Sequence, residues 1–262
     1  MKSYLFVLAA ISLITFGSCK KDKTEPQVNI DKIKITETQI GDTKVTLYAD
    51  QDKLSVGFNA IYFTLEDASG IRGDFQTTIT VNPLMDMHSM EHSSPAIQPT
   101  FDPNTKMYQG AVVFTMPSGE MGSWKLELRL DGLSKDLEVM VHPAPANTKP
   151  VGSYQGTDGN FYVISLIHPS DPKIGINDLL ILVNRRASMH SFPAVSNLSI
   201  EMEPEMPSMG HGSPNNEHPA AMGDGIYKGK VNFTMTGDWR LHFKLSQDEE
   251  VLVEDAFLDL MF

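Results

Sequence analysis

The chain repeats itself. Residues 87–116 align without gaps to residues 206–235 at an offset of 119, and 12 of those 30 positions are identical. The first half of the match is Met-x-Ser-Met-x-His-x-Ser-Pro, from Met87 to Pro95 and from Met206 to Pro214. The second half is Tyr-x-Gly-x-Val-x-Phe-Thr-Met, from Tyr108 to Met116 and from Tyr227 to Met235. Downstream, the run beginning at Trp124 answers to the run beginning at Trp239; upstream, Val56-Gly57-Phe58-Asn59 answers to Ile174-Gly175-Ile176-Asn177. A tandem duplication demands that both copies fold into the same kind of unit, each of about 110 residues. The Pro-rich stretch from His142 to Pro150 is the joint. The division is therefore 28–143 for the first unit, 144–152 for the linker and 153–262 for the second.

The pattern within each copy has period two rather than 3.6. Tyr108, Gly110, Val112, Phe114 and Met116 share one face of an extended segment. Trp124, Leu126, Leu128 and Leu130 do the same, with Lys125, Glu127 and Arg129 facing out, and Val45, Leu47 and Ala49 alternate with Lys44, Thr46 and Tyr48. Turn signals such as Ala68-Ser69-Gly70, Pro117-Ser118-Gly119 and Asp131-Gly132 break the runs. About seven short strands per copy and no amphipathic helix predict an all-β chain of two tandem immunoglobulin-like antiparallel β-sandwiches.

The N-terminus reads as targeting. Lys2 precedes an almost wholly apolar run from Tyr4 to Phe16, shorter than the roughly 20 residues a spanning helix needs. Residues 1–18 are expected to be a signal peptide, and Phe16-Gly17-Ser18-Cys19 resembles a bacterial lipobox with Cys19 as the lipidation site. Residues 19–27 form a polar tether. The expected location is the cell envelope, lipid-anchored at the outer membrane and facing the periplasm or the cell surface. With 33 acidic against 21 basic residues and a net charge of −12, the chain lacks the basic surface a nucleic-acid binder needs. A single cysteine excludes an internal disulfide framework and a Cys-rich zinc site.

The methionines and histidines are clustered. Residues 85–92 and 202–222 hold seven of the 15 methionines and four of the eight histidines, among polar and turn residues rather than inside apolar runs. Thioether sulfur is soft and uncharged, so it suits Cu(I) or Ag(I) and not Mg²⁺ or Ca²⁺, and it does not oxidise to disulfides. Imidazole adds a donor that accepts both copper oxidation states. The expectation is one Cu(I) site per copy: Met87, Met90 and His92 in the first, with Met85 and His88 as further candidates. The second uses Met206, Met209 and His211, with His218 and Met222 as further candidates; Met189 and His190, without counterpart in the first copy, are additional ones. The competing reading is a non-metal structural or adhesion lipoprotein whose Met-rich loops dock a protein partner.

Other residues read as structure. Met116, Met235, Trp124 and Trp239 belong to the core pattern, His242 to an exposed face, and Glu201, Glu203 and Glu205 to a solvated strand edge. No phosphate loop or nucleophile–base signature appears, so no enzyme is expected.

Met206-Pro207-Ser208-Met209-Gly210-His211, followed by the Tyr227-x-Gly229 and Gly237-x-Trp239 segments, resembles the YtkA-like/FixH-like domain family. The first copy departs from it, with His88 for the proline and Glu91 for the glycine. The resemblance implies a small extracytoplasmic β-sandwich concerned with copper handling or with assembly of membrane copper enzymes. It assigns the ligand role to Met206, Met209 and His211 directly, and to Met87, Met90 and His92 through the repeat.

Overall fold

A computed structural model describes residues 31–74 and 76–262; the expected signal peptide, the tether and Cys19 lie outside the described residues. The first half contributes β1 (Ile33–Ile40), β2 (Thr43–Ala49), β3 (Leu54–Ser55), β4 (Gly57–Asp67), β5 (Gly70–Arg72) and β6 (Ile79–Asp86). It continues with β7 (Glu91–Ser93), β8 (Ala96–Asp102), β9 (Met107–Phe114), β10 (Ser123–Leu130), β11 (Leu133–Val139) and β12 (Val141–His142). The second half contributes β13 (Val151–Gln155), β14 (Phe161–His168), β15 (Gly175–Arg186), β16 (Ser199–Met206) and β17 (His211–Gly212). Its last strands are β18 (Glu217–Gly223), β19 (Ile226–Phe233), β20 (Asp238–Gln247) and β21 (Glu250–Met261).

The two main sheets repeat strand for strand, while among the described residues β5 and the β3–β12 pair occur in the first half alone. The larger sheet of the first half runs β1-β2-β4-β9-β8, with β5 on β4, and that of the second runs β13-β14-β15-β19-β18. The smaller sheets run β11-β10-β6-β7 and β21-β20-β16-β17. The chain is thus two tandem immunoglobulin-like antiparallel β-sandwiches. Trp124, Leu126, Leu128 and Leu130 face the first core, while Lys125, Glu127 and Arg129 face water, as the alternation in β10 predicts. Trp239, Leu241, Phe243 and Leu245 do the same in the second.

Two repeated sequence signatures have local physical causes. Asn59 donates its amide to the Ser55 and Gly57 carbonyls at 2.7 and 2.9 Å and accepts the Ser55 N–H at 3.0 Å. Asn177 does the same around Lys173 and Gly175. The intervening Gly57 and Gly175 sit at φ of +107° and +103°, where a side chain is strained. The Gly-x-Asn pair therefore bends the chain into β4 and β15. The Tyr-x-Gly signature has a different cause. β8 and β18 are each irregular where they cross Gly110 and Gly229, and their backbones press on those glycines.

The two sandwiches meet back to back through the outer faces of their larger sheets. Val113 of the first packs with Val151, Val163 and Leu182 of the second, flanked by Phe58, Ile97 and Phe192. Both faces of β9 are covered for this reason: Val112 and Phe114 join the first core, and Val113 joins the interface. At the joint, Lys149 and Asp259 exchange backbone hydrogen bonds of 2.9 and 3.1 Å.

Candidate functional site

Each Met/His segment is a hairpin tip at the end of a small sheet. In the second sandwich Met206 on β16 pairs directly with His211 on β17. The N–H groups of Met209 and Gly210 both close on the Met206 carbonyl, at 3.0 and 2.9 Å, and Gly210 adopts φ +63° to make the turn. Asp238 holds the tip from the side by accepting the Ser208 N–H at 3.1 Å and its hydroxyl proton. The Ser208 hydroxyl bond holds the Asp238 carboxyl below its usual range against a smaller opposing effect of burial.

In the first sandwich the directly paired residues are Met85 and His92. Met85 stands opposite Trp124 on β10, and the register of β16 with β20 carries Met206 opposite Trp239. Met85 and Met206 also lay their ε-methyl groups towards Gly122 and Gly237, and Pro83 and Pro204 precede them by two residues. The structural counterpart of Met206 is therefore Met85, not the Met87 that the gapless alignment matches to it. The first tip has two more residues than the second, and Met87 and His88 lie within it; Met90 and Met209 remain counterparts.

Each half thus carries a row of three side chains across three strands, His–Met–Trp. Residues directly opposite in an antiparallel pair share a face with Cβ atoms roughly 5 Å apart. The imidazole stands edge-on to the indole, with centroids 5.8 Å apart for His92 and Trp124 and 6.1 Å apart for His211 and Trp239. Each indole N–H donates to a methionine carbonyl, Met116 at 2.9 Å and Met235 at 3.0 Å. Met85 and Met206 are buried, while Met90 and Met209 are 52% and 61% exposed at the tips. The hydroxyls of Ser94 and Ser213, each two residues beyond its histidine, are buried without a hydrogen-bond partner.

The tautomer of both histidines follows from their partners. His92 Nδ1 lies 3.0 Å from the Ser93 carbonyl, and His211 Nδ1 3.0 Å from the Gly212 carbonyl. A carbonyl only accepts, so Nδ1 carries the proton and Nε2 of the neutral ring keeps its lone pair, the arrangement usual for a ligating histidine. Among the described residues no group of three or more His, Cys, Asp or Glu is placed to hold a metal ion.

The remaining candidates are distributed differently. His88 is exposed at φ +65°, its N–H bonded to Asp86 at 2.9 Å. Met87 is half-buried against the first core. His218 is not brought to the second tip: its Nδ1 accepts the Met202 N–H at 2.9 Å, tying β18 to β16. Gln98 does the corresponding work in the first sandwich, bonding both polar backbone groups of Val81. Met222 is exposed in β18 beside its turn into β19, at the end of the sheet away from the tip. Met189 and His190 sit at that same far end, and the Met189 carbonyl accepts the Ser93 N–H of the first sandwich at 2.7 Å.

Sequence reasoning missed three contributions. The tryptophans, expected only as core, also abut the histidines. Met235, expected in the core, is 38% exposed beside Trp239. His242, expected to be merely exposed, is gripped by Glu205 at Nε2 (2.9 Å) and Asp255 at Nδ1 (2.7 Å). Glu205 consequently belongs to the outer face of an interior strand rather than to an edge. Both ring nitrogens can donate only in the imidazolium. Burial pulls the His242 pKa down, but the two carboxylate hydrogen bonds outweigh it and the net shift is upward. A raised folded-state pKa stabilises the fold fully below the unfolded value of about 6.5, and the contribution is lost as pH rises through the folded value. Chemical denaturation from mildly acidic to mildly alkaline pH should show that loss, and His242→Gln should flatten it; an equal slope in both proteins would exclude His242 as its source.

Residues 158–244 match the YtkA-like family, a span that includes Met206, Met209, His211 and Trp239. No curated protein matches the chain. Among solved structures, FdeC, an Escherichia coli adhesin, is 12% identical with a TM-score of 0.27, covering 86% of this chain and 66% of its own. InvD of Yersinia pseudotuberculosis is 14% identical with a TM-score of 0.28, covering 83% and 57%. The chain spans less than two thirds of either. A conserved domain protein from Bacillus anthracis is 12% identical with a TM-score of 0.29, covering 90% and 93%. Likenesses this low carry no argument about function.

Proposed function

We propose that the protein is an extracytoplasmic, lipid-anchored copper-binding protein that holds Cu(I) at its two hairpin tips and hands it on, without catalysing a reaction. The observation that carries this reading is the repeated His–Met–Trp row beneath an exposed tip methionine. In the second sandwich His211 Nε2 is the nitrogen donor, and Met206 and Met209 are the thioether donors. In the first, His92 and Met90 play the corresponding parts, Met85 takes the place of Met206, and Met87 is a further thioether in the longer tip. A neutral set of sulfur and imidazole donors favours a soft monovalent ion over Ca²⁺ or Mg²⁺. The backbone-tied Nδ1 fixes each ring before the ion arrives, which lowers the ordering cost of binding. The YtkA-like match over the second site supports the same reading, and delivery to a membrane copper enzyme under assembly is the partner it suggests.

An anaerobic Cu(I) titration against a chromogenic chelator tests it. Two equivalents should be withheld from the chelator, one being lost in His211→Ala and the other in His92→Ala. At a hundredfold excess over the dissociation constant, Cu(I) should add about 2.7 kcal/mol to stability. No competition with the chelator would overturn the reading and leave the exposed methionines as a surface for a protein partner.

A further inference from the structure

The two candidate sites are not alike, because the second sandwich reaches over the first one's. The segment joining β15 to β16 begins with a tight turn, in which the Ala187 N–H bonds the Ser191 carbonyl at 2.9 Å. That turn lies against the first hairpin through the Ser93–Met189 backbone bond of 2.7 Å. Between them is a cavity of about 160 Å³, lined by His92, Ser93 and Thr115 from the first sandwich and by Arg186, Met189 and Phe192 from the second. One histidine and one methionine, from different sandwiches, thus border the same space. β15 starts opposite Phe233, beside Trp239, and ends at Arg186, so Met189 lies at the far end of its own sandwich from Met206 and His211. The corresponding connection of the first sandwich, through β5, carries Ile71 and Arg72 and no sulfur or imidazole donor.

We propose that the first copper site is shared: Met189 of the second sandwich supplies a thioether to the ion held by His92, so that metal binding clamps the two sandwiches together. The second site stays within one sandwich. This rests on the copper reading above and extends it. The named lining carries no carboxylate, which disfavours a hard cation. The one cationic group there, Arg186, lies with its guanidinium 4.2 Å over the Phe161 ring, where the aromatic face absorbs part of its field. His92 is oriented for this role, since its protonated Nδ1 is committed to the Ser93 carbonyl and Nε2 is left to coordinate.

The test is an Ag(I) titration of protein labelled with ¹³C at the methionine methyl groups, with Ag(I) as a redox-inert stand-in for Cu(I). Each signal would be assigned by single Met→Leu substitution. The Met189 signal should move together with that of Met90, in the same binding step, while Met206 and Met209 move in another. In Met189→Leu one of the two equivalents should weaken by at least about tenfold, as loss of even an outer partner of a metal site costs roughly 10–100-fold. Met189 is 40% exposed, so this near-isosteric change leaves the fold intact. Movement of Met206 and Met209 with Met189 unmoved would overturn the shared site and leave the proposed function standing. If no methionine signal moves, both fall.

Discussion

Replacing Trp239 with Ala should destabilise the second sandwich by about 3–5 kcal/mol, the range for emptying a large aromatic site in a packed core. The indole is 1% exposed and packs on Phe233 at 5.2 Å between centroids, so its removal leaves a large void in the core. The same change removes the surface against which His211 stands and the N–H that holds the Met235 carbonyl. Stability and the order of the tip should therefore fail together. Trp239→Phe separates the two effects: it keeps most of the apolar contact and leaves that carbonyl without its indole donor, costing about 1–3 kcal/mol. Urea denaturation of the three proteins gives both numbers. A loss under about 1 kcal/mol for the Ala variant would mean that the indole is not the packed centre described here.

The second large effect is expected at Gly229. A Cβ there would stand 2.4 Å from the Glu217 carbonyl oxygen and 3.0 Å from the Pro219 nitrogen, backbone atoms that have no rotamer to swing away. Gly110 in the other copy meets Ile97 and Pro99 in the same way, at 2.6 and 3.0 Å. Gly229→Ala should force β18 off β19 at this irregularity, with an overpacking cost of about 1–3 kcal/mol or more. It should also disturb the His218 bond to Met202, which crosses between the two sheets from that irregular stretch. Hydrogen exchange at the Met202 amide reads this directly: the amide should lose protection in the variant, and unchanged protection would show that β18 yields without moving His218.

How much of this was legible beforehand depended on whether the information was local. The alternation in β10 is a property of a few consecutive residues, and together with the turn signals it leads to the fold class. The Gly-x-Asn and Tyr-x-Gly signatures are equally local, but as repeated residues alone they do not reveal the bend and the strand irregularity that they mark. Site residues were harder, because a hairpin tip is defined by which residues pair across it. An alignment without gaps matches Met87 to Met206, whereas the strands match Met85 to Met206 and let the first tip be two residues longer. His218 looked like a ligand because it follows His211 closely in sequence, yet the strand direction carries it into a cross-sheet hydrogen bond. Val113 gave no hint of its partner: an apolar residue on the nominally outward face of β9 becomes intelligible only when the other sandwich covers it. The approach of Met189 to Ser93 depends on that same long-range packing, which no spacing within either copy encodes.

The back-to-back contact also bears on the chain's history. A duplicated gene usually keeps a spare that can decay once one copy suffices. Here Phe58, Ile97 and Val113 on one side and Val163, Leu182 and Phe192 on the other shield each other from water. Deleting either half would strip the survivor of that cover and leave an apolar sheet face open to casual self-association. The mutual cover thus binds the two halves to each other while leaving their tips out of the contact's main apolar cluster, and the tips differ, in the longer first tip and the donor-free β5 connection.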